Sequence, residues 1–344
     1  MPTLYLIEQN TTLRKSGERL LLCRRPQTIS KRSSAPRSDD ILMDRPCADV
    51  DQVMLFGNVQ VTIQAMQQLL THDIELAIFT YSGRLLGQLT PPKSKNIPLR
   101  LAQFDKFNRP DFKLLIAKTI VSNKIATQLA VLRQHRKNYP EDFTLADMEK
   151  LEAFEIKIHN AASVEQLLGF EGSATAAYFS LFATMFKPPW QFSKRSRRPP
   201  KDPVNAVLSY GYVIVGAELQ ALLDGVGFDP YLGFYHSVEY GRPSLALDML
   251  EEFRHSFIDR LALNLFNLNI LKEADFVNQQ GGYYLNTEGK KKFFQHFEKM
   301  LGEYTTTMDT LMEKKGIRAV FQQQVNNMMK AVLDEAPYTP WNGQ

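Results

Sequence analysis

TPPKSKNIP, residues Thr90–Pro98, divides two kinds of sequence. Its prolines and small polar residues favour turning or extended backbone and offer nothing to bury, so it reads as a linker. Before it lie short apolar or alternating runs of strand length: TLYLIEQ, RLLLCRR, DQVMLFG, IELAIFT and LLGQL. Gly17 stands between the first two, as a hairpin requires, and Ser82-Gly83 turns the last two. Thr62–Leu70 (TIQAMQQLL) has helical spacing. After the linker, apolar residues recur with helical spacing in Phe112–Arg136, Leu145–Leu168, Ala174–Phe186, Asn205–Leu223, Ser244–Leu268, Lys290–Thr310 and Ile317–Asp334. The expected fold is α+β. Residues 1–92 form a small N-terminal β-sheet domain of β-sandwich type, 93–98 the linker, and 99–344 a larger all-α catalytic domain.

Composition narrows the class. With 344 residues, 44% of them hydrophobic and 23% charged, the chain is long enough for about two domains and is neither disordered nor collagen-like. Cys23 and Cys47 are too few to staple it and are expected reduced. The N-terminus, MPTLYLIEQN, has no basic region ahead of an apolar one. Ala176–Phe186 and Tyr210–Leu223, the most apolar stretches, are shorter than the roughly 20 residues of a membrane span. The expectation is a cytoplasmic chain with no membrane partner. Between Thr28 and Asp40, SKRSSAPRSDD has almost nothing to bury and reads as a mobile hairpin loop carrying Lys31, Arg32 and Arg37.

Three places in the second half could carry chemistry. In LLGFEGSATAAYF, Gly169 interrupts one helical run and a second begins just after Glu171, which would set a carboxylate at the start of a crowded helix. The same position also suits a first-turn Glu that complements the helix dipole. In GVGFDPYLGFYHS the glycines make a loop, and His236 follows Phe234 and Tyr235 as a possible ligand, base or packed residue. In PSLALDMLEEFRHSFIDRL, Asp248, Glu251, Glu252, His255 and Asp259 share one polar stripe, and Asp248 and Glu251 lie one turn apart. Such a stripe is also the solvated face of any amphipathic helix. Two carboxylates and one imidazole suit Mg²⁺ or Mn²⁺, and neither HxxxH nor a Cys pair argues for zinc.

KPPWQFSKRSRRPPKDP is the basic segment. Lys187, Lys194, Arg195, Arg197, Arg198 and Lys201 come with no acid until Asp202, and Trp190 and Phe192 are interleaved. Cations neutralise phosphates and aromatic faces stack on bases, so the segment is a candidate DNA contact; the alternative is a solvated, proline-stiffened loop.

These segments, in this order, resemble the CRISPR-associated adaptation integrase, the core endonuclease and integrase of spacer acquisition. TLYLIEQNTTLRKSGERL, VMLFGNVQVT and IELAIFTYSGRLLGQL are similar to its N-terminal β domain. LLGFEGSATAAYF, RSRRPPKDPVNAVLSYGY, GFDPYLGFYHS and GRPSLALDMLEEFR are similar to its helical catalytic domain, and GGYYLNTEGKKKF and YTPW also fit. The resemblance implies a divalent metal held by Glu171, His236 and Glu251, the last often Asp in the family. It implies a supporting acid at Asp248, and it sets Arg197, Arg198 and Asn205 in the basic and polar segment near the active site. It further implies a homodimer formed through the β domains and a small ferredoxin-like CRISPR-associated partner. The substrate would be double-stranded protospacer DNA, whose 3′-hydroxyl ends are inserted into the CRISPR repeat. A branched-DNA repair nuclease and a non-catalytic DNA-binding scaffold are the competing readings.

Overall fold

The computed structural model describes residues 3–25, 40–90, 96–302 and 316–343. They fall into two compact units, Met1–Lys93 and Ser94–Gln344. The basic insert at 26–39 and most of the linker, 91–95, lie outside the described residues.

Among the described residues, the first unit contains two four-stranded sheets. One has the order β1 (Thr3–Leu6), β5 (Gln52–Phe56), β7 (Glu75–Phe79), β8 (Leu85–Leu89). The other has the order β4 (Ile41–Pro46), β3 (Arg19–Arg24), β2 (Thr11–Ser16), β6 (Val59–Val61). The hairpin at Gly17 (φ 56°) joins β2 to β3, not β1 to β3. β1 instead pairs in parallel with β5, whose five residues are all buried, as a central strand requires. TTLRKS escapes a pattern reading because its apolar content is a single leucine. Leu13, Leu20 and Leu22 of one sheet and Leu6, Val53, Leu55 and Leu76 of the other share one core with Ala65 and Leu69 of α1 (Ile63–Thr71). Cys23 and Cys47 are free and buried.

The second unit is mostly helical: α2 (Ile97–Phe107), α3 (Pro110–Arg136), α4 (Leu145–His159), α5 (Val164–Thr184), α6 (Pro203–Val226), α7 (Ser244–Phe253), α8 (Arg260–Asn267), α9 (Thr287–Gly302) and α10 (Ile317–Asp334). A wide π turn, Arg254–Asp259, joins α7 to α8. The unit is not purely helical. β9 (Phe276–Gln279) and β10 (Gly282–Leu285) form an antiparallel hairpin whose two loop residues, Gln280 and Gly281, both have positive φ. Its sequence cue is weak because Gln replaces the usual Asn or Asp at the first loop position. α3 and α6 are long and apolar enough to cross a membrane by length and composition. Both bury that surface inside this unit, through Ile116, Ile120, Ile125 and Leu129 of α3 and Val207, Ile214, Leu219 and Leu223 of α6.

The break expected at Gly169 falls elsewhere. α4 is capped by Asn160 at its C-terminus, and α5 is capped at its N-terminus by Ser163, whose hydroxyl accepts from Gln166 N. Gly169 lies inside α5. A glycine in a helix costs only about 1 kcal/mol against alanine. Burial of Leu167, Ala174, Tyr178 and Phe182 on the same helix outweighs that cost. Glu171 is therefore a mid-helix residue, and a first-turn dipole role does not apply to it.

Burial also acts on Lys290 of α9, which is 1% exposed. Desolvation lowers its ammonium from the ordinary 10.5 to about 7. The unfolded chain then binds a proton more readily than the folded one between those values, so Lys290 costs stability as pH falls toward 7. The stability lost between pH 10 and pH 7 is expected to be smaller in Lys290→Met than in the unaltered chain, as read from thermal melts across that range.

Candidate active site of the helical unit

Asp248 organises the site. It is fully buried on α7, beneath the loop that carries His236. Its Oδ2 accepts from Phe234 N (2.7 Å) and Tyr235 N (3.0 Å), and its Oδ1 from His236 N (2.8 Å). Gly233 lets this loop close on α7: a Cβ there would lie 2.7 Å from the Ser244 carbonyl carbon and 2.8 Å from Asp248 Oδ2. Asp248 Oδ1 also lies 2.7 Å from His236 Nδ1. A carboxylate only accepts, so Nδ1 carries a proton, and in the neutral ring the lone pair is on Nε2. That free nitrogen faces Glu251 Oε1 at 3.7 Å.

Glu251, one turn beyond Asp248, is buried among cations. Lys124 Nζ of α3 is 2.7 Å from its Oε2, and Arg254 Nη2 is 3.3 Å from its Oε1. Burial alone pushes the Glu251 carboxyl up, but Arg254 and Lys124 together hold it well below the usual carboxylate range. Oε2 has no well-directed hydrogen bond among the described residues despite its buried position.

Glu171 reaches the same place from α5. Its Oε1 pairs with Lys124 and accepts from Thr175 Oγ1 at 2.8 Å. Burial again opposes ionisation, and Lys124 again outweighs it, so the carboxyl lies below its ordinary value. Lys124 thus bridges the two glutamates. Behind Thr175 a polar row continues inward. Gln128 Nε2 is 3.4 Å from Thr175 Oγ1 and 3.1 Å from His255 Nε2, and His255 Nδ1 is 2.7 Å from Asp259 Oδ2. Asp259 also accepts from the Tyr178 and Tyr212 hydroxyls.

The polar stripe of α7 and the π turn is therefore not a solvated face. Asp248, Glu251, Glu252, His255 and Asp259 are all at most 1% exposed, each with partners, as buried charge requires. Glu252 accepts from the Tyr338 hydroxyl and Trp341 N. Without a counter-charge, burial raises its carboxyl to about 8.

Glu171, His236, Glu251 and Asp248 thus come together from α5, a loop and α7. Sequence reading missed Lys124, Arg254, Thr175 and Gln128. A lysine inside the apolar run IVSNKIATQLAVL was the available signal, since Lys is seldom buried unless paired. Among the described residues, no three His, Cys, Asp or Glu side chains already form a metal cage. Lys124 fills the gap between the two glutamates. The donor set still fits a hard divalent ion: two ionised carboxylates, one buried oxygen short of a hydrogen bond, and an imidazole oriented by its own acid. A cleft of about 800 Å³, lined by Pro110, Lys113, Glu165, Leu168 and Tyr235, ends at His236. The Tyr235 hydroxyl is buried without a hydrogen-bond partner among the described residues.

The basic segment divides. Lys187, Lys194, Arg197, Arg198 and Lys201 are exposed, although Lys187 Nζ bonds the Tyr139 hydroxyl at 2.9 Å. Trp190 is buried against Phe266 (4.7 Å) and offers no face to a base. Asn205 is fully buried and ties the segment together: it accepts from Ser196 N (2.8 Å) and donates to Lys194 O (2.9 Å). Arg195 is half-buried, bonded to Asn205 and stacked over Tyr212 at 5.3 Å. An apolar core took the tryptophan, and a helix cap took the asparagine, with Asn205 N bonded to Asp202.

Solved structures share this fold. A casposase bound to integration product superposes with TM-score 0.84 at 23% identity, over 99% of this chain and 93% of that one. A Cas1 protein from Thermotoga maritima superposes with TM-score 0.81 at 25% identity, over 98% and 99%. The profile of the family described as CRISPR associated protein Cas1 matches residues 4–299. CRISPR-associated endonuclease Cas1 3 of Thermus thermophilus is 32% identical over 98% of this chain and 96% of its own length. CRISPR-associated endonuclease Cas1 1 of Thermodesulfovibrio yellowstonii is 34% identical over 84% and 88%. The chain belongs to the Cas1 family.

Proposed function

We propose that the chain is a metal-dependent DNA endonuclease and integrase that inserts protospacer DNA into a CRISPR array. The observation that carries this reading is the meeting of Glu171 and Glu251 with His236, whose Nε2 is kept free by Asp248. Glu171, His236 and Glu251 would hold Mg²⁺ or Mn²⁺, which supplies charge stabilisation at a phosphate oxygen and lowers the pKa of a bound hydroxyl.

The reaction is a transesterification. The incoming 3′-hydroxyl gives up its proton as its oxygen bonds to phosphorus, the target P–O bond breaks, and the leaving oxygen takes up a proton. Asp248 keeps the imidazole in one tautomer, so His236 Nε2 offers a lone pair as ligand or proton acceptor. The Arg254 guanidinium and the Tyr235 hydroxyl supply donors near the charge that develops. The exposed cations Lys194, Arg197, Arg198 and Lys201 would hold the DNA backbone.

The partners follow the family: double-stranded DNA, a second copy of the chain, and a small ferredoxin-like CRISPR-associated subunit, in the cytoplasm. A Cas6-RT-Cas1–Cas2 complex supports the association. It contains a region similar to this chain, with TM-score 0.80 at 26% identity, covering 99% of this chain and 36% of that one. A half-site assay tests the proposal, with a 3′-hydroxyl duplex and a repeat-bearing plasmid. Joined product is expected with Mg²⁺ or Mn²⁺ and none in EDTA; joining in EDTA would overturn the metal assignment.

A further inference from the structure

Lys124 is 3% exposed in the middle of α3, and its ammonium contacts one carboxylate from each of two other helices. Its position is set by its neighbours: Ile120, Val121, Ile125 and Gln128 are buried on the same helix, so the lysine stem cannot be withdrawn into solvent. Glu171 and Glu251 contribute two negative charges, and Lys124 and Arg254 return two positive ones. The pair of glutamates is thus already neutralised by the protein. Two like-charged carboxylates buried this close would otherwise repel each other, and pairing is what permits both to ionise.

We propose that Lys124 is a built-in competitor for the catalytic cation, so that metal loading is an exchange in which a divalent ion takes the two glutamates from the lysine. This rests on the metal reading above and adds a residue to it. An ion entering beside Lys124 must displace one strong pair and tolerate a fixed positive charge close by. The lysine therefore lowers metal affinity while stabilising the carboxylate pair. A residue that merely packed α3 against α5 and α7 would raise neither metal affinity nor the stabilisation by metal when removed.

The test compares the full chain with Lys124→Met and Glu171→Gln, reading Mn²⁺ binding from the free-ion electron paramagnetic resonance signal and stability from thermal melts. Lys124→Met is expected to bind Mn²⁺ at least tenfold more tightly than the unaltered chain and to melt lower without added metal. Mn²⁺ should raise its melting temperature more than it raises that of the unaltered chain. Glu171→Gln should bind more weakly than both. Lys124→Arg, which restores the charge, should return affinity toward the original value. If the unaltered chain binds Mn²⁺ and Lys124→Met binds no more tightly, the competitor role is overturned and the metal reading stands. If neither binds, the metal reading falls and this inference with it. Should Lys124→Met be unfolded without metal, recovery of its helical circular dichroism on adding Mn²⁺ supports the exchange, and no recovery overturns it.

Discussion

Glu171→Ala is expected to abolish metal-dependent DNA joining and cleavage, with a loss of more than about 100-fold, while DNA binding survives. The magnitude follows from position. Loss of a partner that only orients a metal ligand already costs about 10–100-fold. Glu171 is assigned as a ligand itself, so its removal exceeds that range. The fold is expected to persist for a separate reason. Lys124 loses one carboxylate but keeps Glu251 at 2.7 Å, so no buried charge is stranded. Glu171 is also partly exposed, at 17%, and the smaller side chain leaves space that water can enter. The measurements are the half-site assay, a cleavage assay and a DNA-binding titration on the same preparation. Unchanged joining in this variant would sink the metal-site assignment. Unchanged binding with lost joining separates an integrase from a DNA-binding scaffold.

Asp248→Ala is expected to damage both stability and the site. The substitution removes the acceptor for three successive backbone N–H groups and for His236 Nδ1. Each buried donor left without a partner costs about 1–3 kcal/mol, so a total of roughly 3–5 kcal/mol is expected after partial rearrangement of the loop. At about 2–4 °C per kcal/mol for a unit of this size, the melting temperature should fall by roughly 6–20 °C. Asp248→Asn separates the two roles. It keeps one accepting oxygen and much of the stability, but it no longer offers a carboxylate to fix the imidazole tautomer. Its joining rate should fall further than its melting temperature accounts for. Equal melting temperatures for Asp248→Ala and the unaltered chain would contradict the role of this carboxylate as the anchor of the His236 loop.

Much of the first unit was legible because strands with apolar runs declare themselves. β5 and β7 are apolar along nearly their whole length, and their positions follow from the sequence. β2 was not legible, since its identity depends on hydrogen bonds to β3 and β6 and not on its own composition. In the helical unit, α6 and α10 match their periodic stretches closely. The division of α4 from α5 did not, because it was set by a serine cap and not by the nearby glycine. Glu171, His236, Glu251 and Asp248 were found as separate local signals and by resemblance. Their meeting could not be read from spacing, since 80 residues separate Glu171 from Glu251.

The linker, the change from strand to helical periodicity, and the four acidic and imidazole candidates are properties of the sequence alone, because each depends on neighbours within a few residues. Which charges are buried and which polar atoms meet was decided by tertiary structure. Burial gave Asp248 its three amide donors and converted a stripe that could have faced water into an interior polar row. It placed Trp190 and Asn205 in the interior and left Arg197 and Arg198 outside. It also brought Lys124 from a distant helix to lie between the glutamates. The physical reason is the same in each case. A charge leaves water only where a partner awaits it, and the partner here comes from another element of the fold.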